Sequence, residues 1–393
     1  MTRLAVIGAG GFGAFIMDAS RQAAGVHIVA VVDADTDRAA CAADAHGARV
    51  ATLDEALHAG DVDAVVIATP PSSHFALVTA ALRAGKDVFC EKPFGANAAE
   101  ARELRELVSA TGRVLVVDHV LRYNPLLIAV RRLQQRAGWH ARRFLFENDA
   151  ADESLPPEHW FWDRSLSGGI FVEHGVHFFD VAQMFLDAPA QQVVAAETRR
   201  DGWPAPDLVS ATVVHGDALA THTHSFTHLH RAERQLMRLD FGCAEVRIDG
   251  WIPVSAELVA YTDAAGEATL RAVLEEPGLL ETPGVQLSAR PVLVAATDAI
   301  GSGLTDRPDA TRRVTARLTL GGEPAKQSVY AAGVAAALAD LHTCRADASR
   351  RPRSNADTAA AAVTVAELAT RAAESGRAQS IDPDQVRQSA PAR

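Results

Sequence analysis

The chain is poor in lysine, cysteine and long apolar runs, and each shortage excludes a class of protein. Only three of its 393 residues are lysines and its net charge is −11, which argues against a nucleic-acid or anionic-membrane partner. The four cysteines form no CxxC pair, so we expect reduced thiols and no metal site. No apolar run is long enough to span a bilayer, and the N-terminus lacks the features of a signal peptide. The sequence therefore predicts a cytoplasmic protein.

The length and composition indicate a two-domain globular protein. A chain of 393 residues exceeds one typical domain, and 48% apolar with 22% charged residues suffices for two cores. We predict a first domain over residues 1–121 and a second over 122–383, whose last helices return toward the first. The final segment, 384–393, is predicted to be disordered.

Residues 4–13 carry the most informative pattern, an apolar strand that runs into a glycine-rich turn. Gly8 permits the tight turn, Gly10 lets the backbone approach a pyrophosphate, and Gly13 lets a helix pack closely on the strand. A second apolar strand ends on Asp33, which can accept hydrogen bonds from an adenosine ribose. We predict NAD as cofactor and NADP as the lesser alternative, since Asp33 would repel a 2′-phosphate that Arg38 could attract.

The first 120 residues alternate between strand and helix patterns, which is typical of a doubly wound parallel sheet. Strand patterns occur at 4–7, 26–32, 62–68, 86–90 and 113–117, and helical patterns at 12–24, 36–45, 74–84 and 97–110. Polar clusters follow three of these strands: Thr69-Pro70-Pro71, Glu91-Lys92-Pro93 and Asp118-His119. Because ligands bind beyond the carboxyl ends of such strands, we predict a site at this edge.

The rest of the chain predicts an α+β domain with a large, mostly antiparallel, open-faced sheet. A helix at 124–135, a strand at 142–148, a loop at 150–168 and a helix at 168–186 precede the sheet. Its predicted strands are 191–199, 207–215, 218–229, 234–241, 244–248, 257–262 and 268–274. Residues 276–325 read as irregular, and helices at 327–345 and 355–376 follow. The fold class is therefore α/β, a Rossmann domain joined to this second domain.

Two segments carry residues suited to proton and charge chemistry. Lys92 follows a predicted strand, where its ammonium could meet a cofactor and substrate; the alternative is an ordinary surface turn. Glu173, His177 and Asp180 share one helix face, and His177 is the best general base on the chain. The alternative for His177 is a hydrogen-bonded core histidine. Gly175 inside this helix suggests that something approaches the backbone closely.

Taken together, these motifs resemble the glucose–fructose oxidoreductase / inositol dehydrogenase (Gfo/Idh/MocA) family of NAD(P)-dependent oxidoreductases. The resemblance covers residues 4–180 and is specific for fold and cofactor but poorly specific for substrate. It is carried by Gly8–Gly13, Asp33, Ala68-Thr69-Pro70-Pro71-x-x-His74, Glu91-Lys92-Pro93, Arg122-Tyr123-x-Pro125 and Gly168-Gly169-x-x-x-Glu173-x-Gly175-x-His177-x-x-Asp180.

The resemblance implies a role for each matching position. Lys92 would bind the reacting hydroxyl and the nicotinamide ribose, and His177 would be the acid/base. Glu173 stands where the family usually has Asp, which binds substrate and supports the histidine. The resemblance therefore does not determine the path of the proton. The implied cofactor contacts are Gly8, Gly10, Gly11, Phe12, Gly13, Asp33, Ala34, Arg38, Thr69, Pro70, Pro71, His74, Glu91, Lys92 and Arg122. The implied substrate contacts are Lys92, Tyr123, Trp160, Trp162, Glu173 and His177.

Two further patterns admit both a functional and a structural interpretation. Trp160 and Trp162 could stack on the faces of a sugar or cyclitol, or could anchor their loop as a hydrophobic plug. His222, His224, His228 and His230 share one parity, so a continuous strand would place them on one face. That face could bind zinc, but we favour a polar cavity lining or a subunit interface because no accompanying ligands are present.

The leading hypothesis is an NAD-dependent dehydrogenase or reductase of a secondary alcohol or ketone in a neutral polyhydroxylated substrate. One alternative is an enzyme that retains NAD(H) and recycles it during glycoside cleavage or sugar–sugar redox chemistry. Another is a non-enzymatic NAD(H) sensor, although a sensor would need neither Lys92 nor His177. We expect a homo-oligomer, because the second sheet would leave a large apolar face. Substrate identity and direction stay open at this stage.

Overall fold

The first 117 residues of the chain contain a six-stranded, fully parallel sheet with strand order β3-β2-β1-β4-β5-β6. The computed structural model describes residues 1–152, 154–280, 292–298 and 310–386. Helices cover both faces of the sheet, which is why residues 4–7 and 64–67 of its two central strands are all apolar and buried. The strands are β1 (Thr2–Ile7), β2 (Val26–Val32), β3 (Arg49–Val50), β4 (Ala64–Ile67), β5 (Asp87–Cys90) and β6 (Leu115–Val117). The helices of this part are α1 (Gly11–Ser20), α2 (Thr36–His46), α3 (Leu53–His58), α4 (His74–Arg83) and α5 (Ala98–Thr111). The next helix, α6 (Pro125–Ala137), packs on the helix Ala264–Leu274 of the second domain.

The second sheet has ten strands and is antiparallel except where β7 pairs with β10. Buried and exposed residues alternate along most of its strands, so one face packs on helices. Its strands are β7 (Arg143–Asp149), β8 (Gln192–Thr198), β9 (Leu208–His215), β10 (Ala218–Ser225), β11 (Arg234–Asp240), β12 (Ala244–Asp249), β13 (Ser255–Thr262), β14 (Val292–Asp298), β15 (Arg312–Thr319) and β16 (Gln379–Ser380). Its helices are α7 (Arg164–Ser167), α8 (Val176–Phe185) and α9 (Ala264–Leu274). These observations confirm the predicted fold class.

The last helices return to the first sheet. Helix α10 (Lys326–Ala346) packs on α1, and α11 (Ala356–Ser375) packs on α5, α8 and β8. Alanines make up much of the buried surface of α11, and their small side chains allow this close approach. Its N-terminus is closed by a capping box in which Asn355 accepts from Thr358 N. The two sheets are therefore held against each other by the C-terminal helices.

Three predictions about the second domain were wrong. Residues 268–274 belong to α9 and not to a strand, because Asp263 caps a helix by accepting from Gly266 N. The segment 276–325, predicted to be irregular, contains β14 and β15. The helix predicted from 168 begins later, since Gly168 and Gly169 have φ of +77° and +88°, a left-handed conformation that ends α7.

Three further observations concern the C-terminal tail, the described helices and possible metal ligands. Of the tail predicted to be disordered, residues 384–386 belong to a short helix, α12 (Pro383–Val386), and 387–393 lie outside the described residues. Among the described helices, none has the length and apolar character that crossing a bilayer requires. No group of three or more histidine, cysteine or carboxylate side chains in the described part of the chain is placed to hold a metal ion.

Candidate active site

The glycine-rich turn is shaped by two contacts that exclude side chains. Gly8 has φ of +97°, and a Cβ there would lie 2.5 Å from the Ala68 carbonyl oxygen. A Cβ on Gly13 would lie 2.0 Å from the Gly8 carbonyl oxygen, so α1 packs directly on the turn. The first turn of α1 has no side-chain cap and no acidic residue. Its free N–H groups therefore fit a dinucleotide pyrophosphate.

Asp33 lies at the end of β2, beside the turn. Its Oδ2 accepts from Ala9 N at 2.7 Å and its Oδ1 accepts from Asp35 N at 2.8 Å. Arg38 is exposed and donates to Asp35 Oδ2 at 2.9 Å, while its Nε lies 3.8 Å from Asp33 Oδ1. The Asp33 carboxylate thus orders the turn, and the Arg38 guanidinium is bound by Asp35 and lies near Asp33. Gly10, Gly11, Phe12 and Ala34 all lie at this surface.

The Thr69-Pro70-Pro71 segment forms a tight turn after β4. Thr69 Oγ1 and Ser73 Oγ are 2.6 Å apart. His74 is fully buried, and its two ring nitrogens lie 2.8 and 2.9 Å from the carbonyl oxygens of Thr69 and Pro93. The resemblance implied that His74 contacts the cofactor. Its ring is instead enclosed and holds the Thr69 turn against Pro93, so we withdraw that contact.

The centre of the site is an ion pair between Lys92, after β5, and Glu173. Lys92 Nζ donates to Glu173 Oε1 at 2.6 Å and to the Glu173 carbonyl oxygen at 2.8 Å. Both side chains are mostly buried, at 18% and 16% exposure. Burial opposes ionisation of Glu173, but the Lys92 ammonium outweighs it and lowers the pKa of that carboxyl. The pair therefore presents balanced charge, with one ammonium hydrogen still free.

His177 lies one helical turn after Glu173. Residues Phe171–Gly175 form a π-helical turn that continues into α8, an irregularity common at functional sites. His177 Nδ1 is buried without a hydrogen-bond partner among the described residues. Burial, together with the Lys92 ammonium and nearby imidazoles, lowers the pKa of His177 well below its ordinary value. The imidazole is therefore neutral at neutral pH and can accept a proton.

Asp180 does not support His177 through a hydrogen bond. Arg122 Nε donates to its Oδ2 at 2.7 Å, and its Oδ1 is buried without a described partner. His119, fully buried after β6, meets His177 edge-on with ring centroids 6.0 Å apart. The Arg122–Asp180 pair thus ties α8 to the segment that follows β6, near His119 and His177.

Two residues expected at the ligand are enclosed. Tyr123 is 2% exposed and its hydroxyl donates to Asp340 at 2.9 Å, so it ties the short 3₁₀ turn Val120–Tyr123 to α10 and is not a substrate contact. Glu91 is 9% exposed, and its carboxyl lies beside that of Asp118 inside the protein, so the carboxyl is not placed to contact a cofactor. Burial and the Asp118 charge raise the pKa of Glu91 well above its usual value. Burial also raises the pKa of Asp118 to about 6.

The tryptophan loop divides into one enclosed and one exposed ring. Trp162 is 5% exposed and packs edge-on against Phe161, Trp203 and Phe226, which fits the hydrophobic plug. Trp160 is 41% exposed and is the ring of the two that a ligand can reach.

The predicted histidine face is only half formed. His222 and His224 lie on β10 with parallel rings, but the strand ends at Ser225. His228 and His230 therefore lie beyond it, in the chain that follows. His224 instead contacts His174, a residue of the π-helical turn that sequence reasoning did not select. His174 lies between Glu173 and His177 in the sequence, and this proximity was the only local indication that His174 lies near the site.

Two family profiles match the chain. One, described as an oxidoreductase family with an NAD-binding Rossmann fold, matches residues 2–119, and the GFO/IDH/MocA C-terminal domain matches residues 139–241. The chain belongs to the GFO/IDH/MocA family. The first of these matches spans the glycine turn, Asp33 and Lys92, and the second spans Glu173 and His177. The family resemblance drawn from the motifs is confirmed.

Named relatives of this GFO/IDH/MocA chain include inositol dehydrogenases. It is 35% identical to inositol 2-dehydrogenase of Rhizobium meliloti (strain 1021) over 193 residues, which is 49% of this chain and 57% of that protein. It is 31% identical to the NAD(+)-dependent scyllo-inositol 2-dehydrogenase of Bacillus subtilis (strain 168), over 35% of this chain and 40% of that protein. These matches thus span 57% and 40% of the two relatives' lengths, less than two thirds of either.

Solved structures share the whole fold. Myo-inositol dehydrogenase of Corynebacterium glutamicum ATCC 13032 superposes with a TM-score of 0.69 at 18% identity, covering 98% of this chain and 99% of that chain. GenD2 from gentamicin A biosynthesis, solved in complex with NAD, gives a TM-score of 0.70 at 20% identity and covers 97% and 96% of the two chains. Likeness at this identity shows a common fold for this GFO/IDH/MocA chain.

Proposed function

We propose that the protein is an NAD-dependent oxidoreductase that interconverts a secondary alcohol and a ketone in a neutral polyhydroxylated substrate, a sugar, a cyclitol or a derivative. The observation that carries the proposal is the Lys92–Glu173 pair, with Nζ 2.6 Å from Oε1, one helical turn from a neutral His177. The named inositol dehydrogenases among its relatives support this substrate class.

The residues of the site divide the work of alcohol oxidation. His177 accepts the hydroxyl proton, because its imidazole is neutral. Two hydrogens of the Lys92 ammonium are bound by Glu173, and the third can donate to the substrate oxygen and stabilise the alkoxide charge that develops there. Glu173 orients Lys92, and its second carboxylate oxygen can accept a substrate hydroxyl. Bound nicotinamide supplies the hydride acceptor.

Substrate charge follows from the balance inside the site. Lys92 is compensated by Glu173, and the neighbouring Glu91 and Asp118 add no positive charge. Among the described site residues, Lys92 and Arg122 are both paired with carboxylates, so a phosphate or carboxylate on the substrate would have to compete for them, whereas hydroxyl groups find both donors and acceptors. This balance supports the neutral substrate class.

The choice of NAD over NADP rests on the end of β2. The Asp33 carboxylate orders the glycine turn, and Arg38 is drawn to Asp35 and Asp33. A 2′-phosphate would meet one carboxylate and would have to compete for that guanidinium. We therefore propose NAD as the cofactor.

The test is absorbance at 340 nm with NAD and then NADP across sugars, inositols and their keto forms. We expect NAD-dependent turnover of one neutral polyol class. The rate with NADP should be lower by a factor of about ten or more. A preference for phosphorylated or carboxylated substrates, or no turnover while nicotinamide co-purifies with the protein, would contradict the proposal. The second result would favour chemistry with a retained cofactor.

A further inference from the structure

The described chain places a second histidine pair against the site. His174 follows Glu173 in the π-helical turn, and its Nδ1 lies 2.9 Å from Nδ1 of His224 on β10. The two rings are nearly perpendicular, at 85°. A hydrogen bond between two imidazole nitrogens needs one N–H and one lone pair, so exactly one ring of the two can be the donor at that contact.

The contact is built into the core. His224 is fully buried and is surrounded by the rings of Phe146, Phe171 and Phe178. A Cβ on Gly175 would lie 3.3 Å from His224 Nε2, so the glycine in the site helix makes room for this ring. The expectation that something approaches the backbone at Gly175 is met by a protein side chain. His224 therefore has little freedom to turn away from His174.

Burial also selects the position of the protons. His224 Nε2 is buried with no described partner, and an orphaned N–H costs more than an unused acceptor. His224 therefore keeps its hydrogen on Nδ1 and donates it to His174. Burial lowers the pKa of His174 to about 4, so this ring is neutral and carries its hydrogen on Nε2. No described group binds that Nε2.

The surroundings of His174 connect it to the ligand site. Glu173 and Lys92 are its charged neighbours. On its other side the ring of Phe226 lies 5.4 Å away and packs on Phe161 and Trp162, the enclosed part of the tryptophan loop. His174 thus stands between the catalytic ion pair and an aromatic wall, with one unengaged donor.

We propose that His174 donates its Nε2 hydrogen to a second substrate oxygen and thereby determines specificity, and that His224 is a positioning residue that fixes this tautomer. The inference rests on the proposed function and deepens it, since the substrate must offer two oxygens, one held by Lys92 and one by His174. A neutral donor beside a balanced ion pair suits a hydroxyl or ether oxygen. Vicinal polyols such as cyclitols have this chemistry.

Kinetics with myo-inositol and its monodeoxy analogues test the substrate contact. His174→Asn keeps an amide that can accept from His224 but reaches no farther, whereas His174→Gln can place an N–H near the lost Nε2. We expect His174→Asn to lower kcat/KM about tenfold or more on myo-inositol, with unchanged Kd for NADH and partial recovery in His174→Gln. One monodeoxy analogue should show no difference between wild type and His174→Asn. Equal losses on every analogue, or none, would overturn the contact.

A second measurement does not depend on turnover. Long-range ¹⁵N–¹H spectra of histidine-labelled protein report the tautomer of each ring, and the variants His174→Asn and His224→Asn assign the signals. We expect Nε2–H for His174 and Nδ1–H for His224. The reverse tautomers, or bound zinc at the pair, would overturn the inference even if wild-type protein oxidises inositols. Absence of turnover with the expected tautomers would instead count against the proposed function alone.

Discussion

At the scale of single residues, the site depends on how Lys92 is held. The ammonium makes two contacts with one residue, the carboxylate and the carbonyl oxygen of Glu173. Glu is one methylene longer than the Asp that the family resemblance implies at this position, and its carboxylate contacts Lys92 at 2.6 Å. No hydrogen bond between Glu173 and His177 occurs among the described contacts. The longer side chain therefore serves the lysine.

Replacing Lys92 should separate chemistry from cofactor binding. Lys92→Met removes the charge that stabilises the developing alkoxide, so we expect kcat to fall about 100-fold or more. The Kd for NADH, measured by fluorescence, should stay within about threefold of wild type. Lys326→Met is the matched control, because Lys326 pairs with the exposed carboxylate of Glu323 and not with Glu173. Equal kcat in Lys92→Met and Lys326→Met would show that Lys92 is a structural lysine.

At the scale of elements, the nucleotide turn depends on helix α1 lying directly on β1. The Gly13 backbone is so near the Gly8 carbonyl oxygen that any side chain there must displace the helix. Displacement would move the free N–H groups of the first turn, which are the groups that fit a pyrophosphate. Cofactor affinity is therefore a property of the strand–helix packing as much as of any one residue.

Gly13→Ala should weaken cofactor binding more than it weakens the fold. We expect the Kd for NADH to rise about tenfold or more while the protein keeps its native circular dichroism. Gly60→Ala is the control, since a Cβ at Gly60 meets nothing within 4 Å. Isothermal titration of both variants checks the prediction. A Kd for Gly13→Ala like that of Gly60→Ala would exclude this turn as the pyrophosphate site.

Elements with strong local signals could be predicted from the sequence, and elements set by distant contacts could not. The first sheet is indicated by the glycine spacing, Asp33 and the apolar strand patterns. Lys92 and His177 belong to recognisable motifs. The α9 cap at Asp263 and the alternating pattern of β15 were readable but were missed. The His174–His224 contact joins the π-helical turn to a residue 50 positions later in the chain, and no local sequence pattern indicates such a pairing.

At the scale of the whole molecule, neutral histidines in the core make stability depend on pH. Burial lowers the pKa of nine buried or half-buried histidines in the described chain: His46, His74, His119, His174, His177, His215, His222, His224 and His342. Each binds a proton more readily when unfolded. Their contribution to stability is therefore complete above about pH 6.5 and is lost as pH falls toward the folded-state pKa values.

His222 offers the clearest case. Burial lowers its pKa to about 3, and neither ring nitrogen has a described hydrogen-bond partner. Between about pH 7.5 and pH 5 this residue should cost the wild-type protein about 2 kcal/mol of unfolding free energy. His222→Leu should remove that loss, as measured by urea unfolding at the two pH values. His58→Leu, which removes an exposed ring, is the control; equal pH dependence in both variants would contradict the account.

The measurement that tests the central claim most directly is isotope transfer at the site. Wild-type protein and His177→Ala are each given NAD and carbon-deuterated myo-inositol, and the reduced cofactor is analysed by mass spectrometry. We expect NADH that carries one deuterium from wild type and about 100-fold less of it from His177→Ala. Reduced cofactor without deuterium, or equal yields from the two proteins, would contradict hydride transfer with His177 as the base.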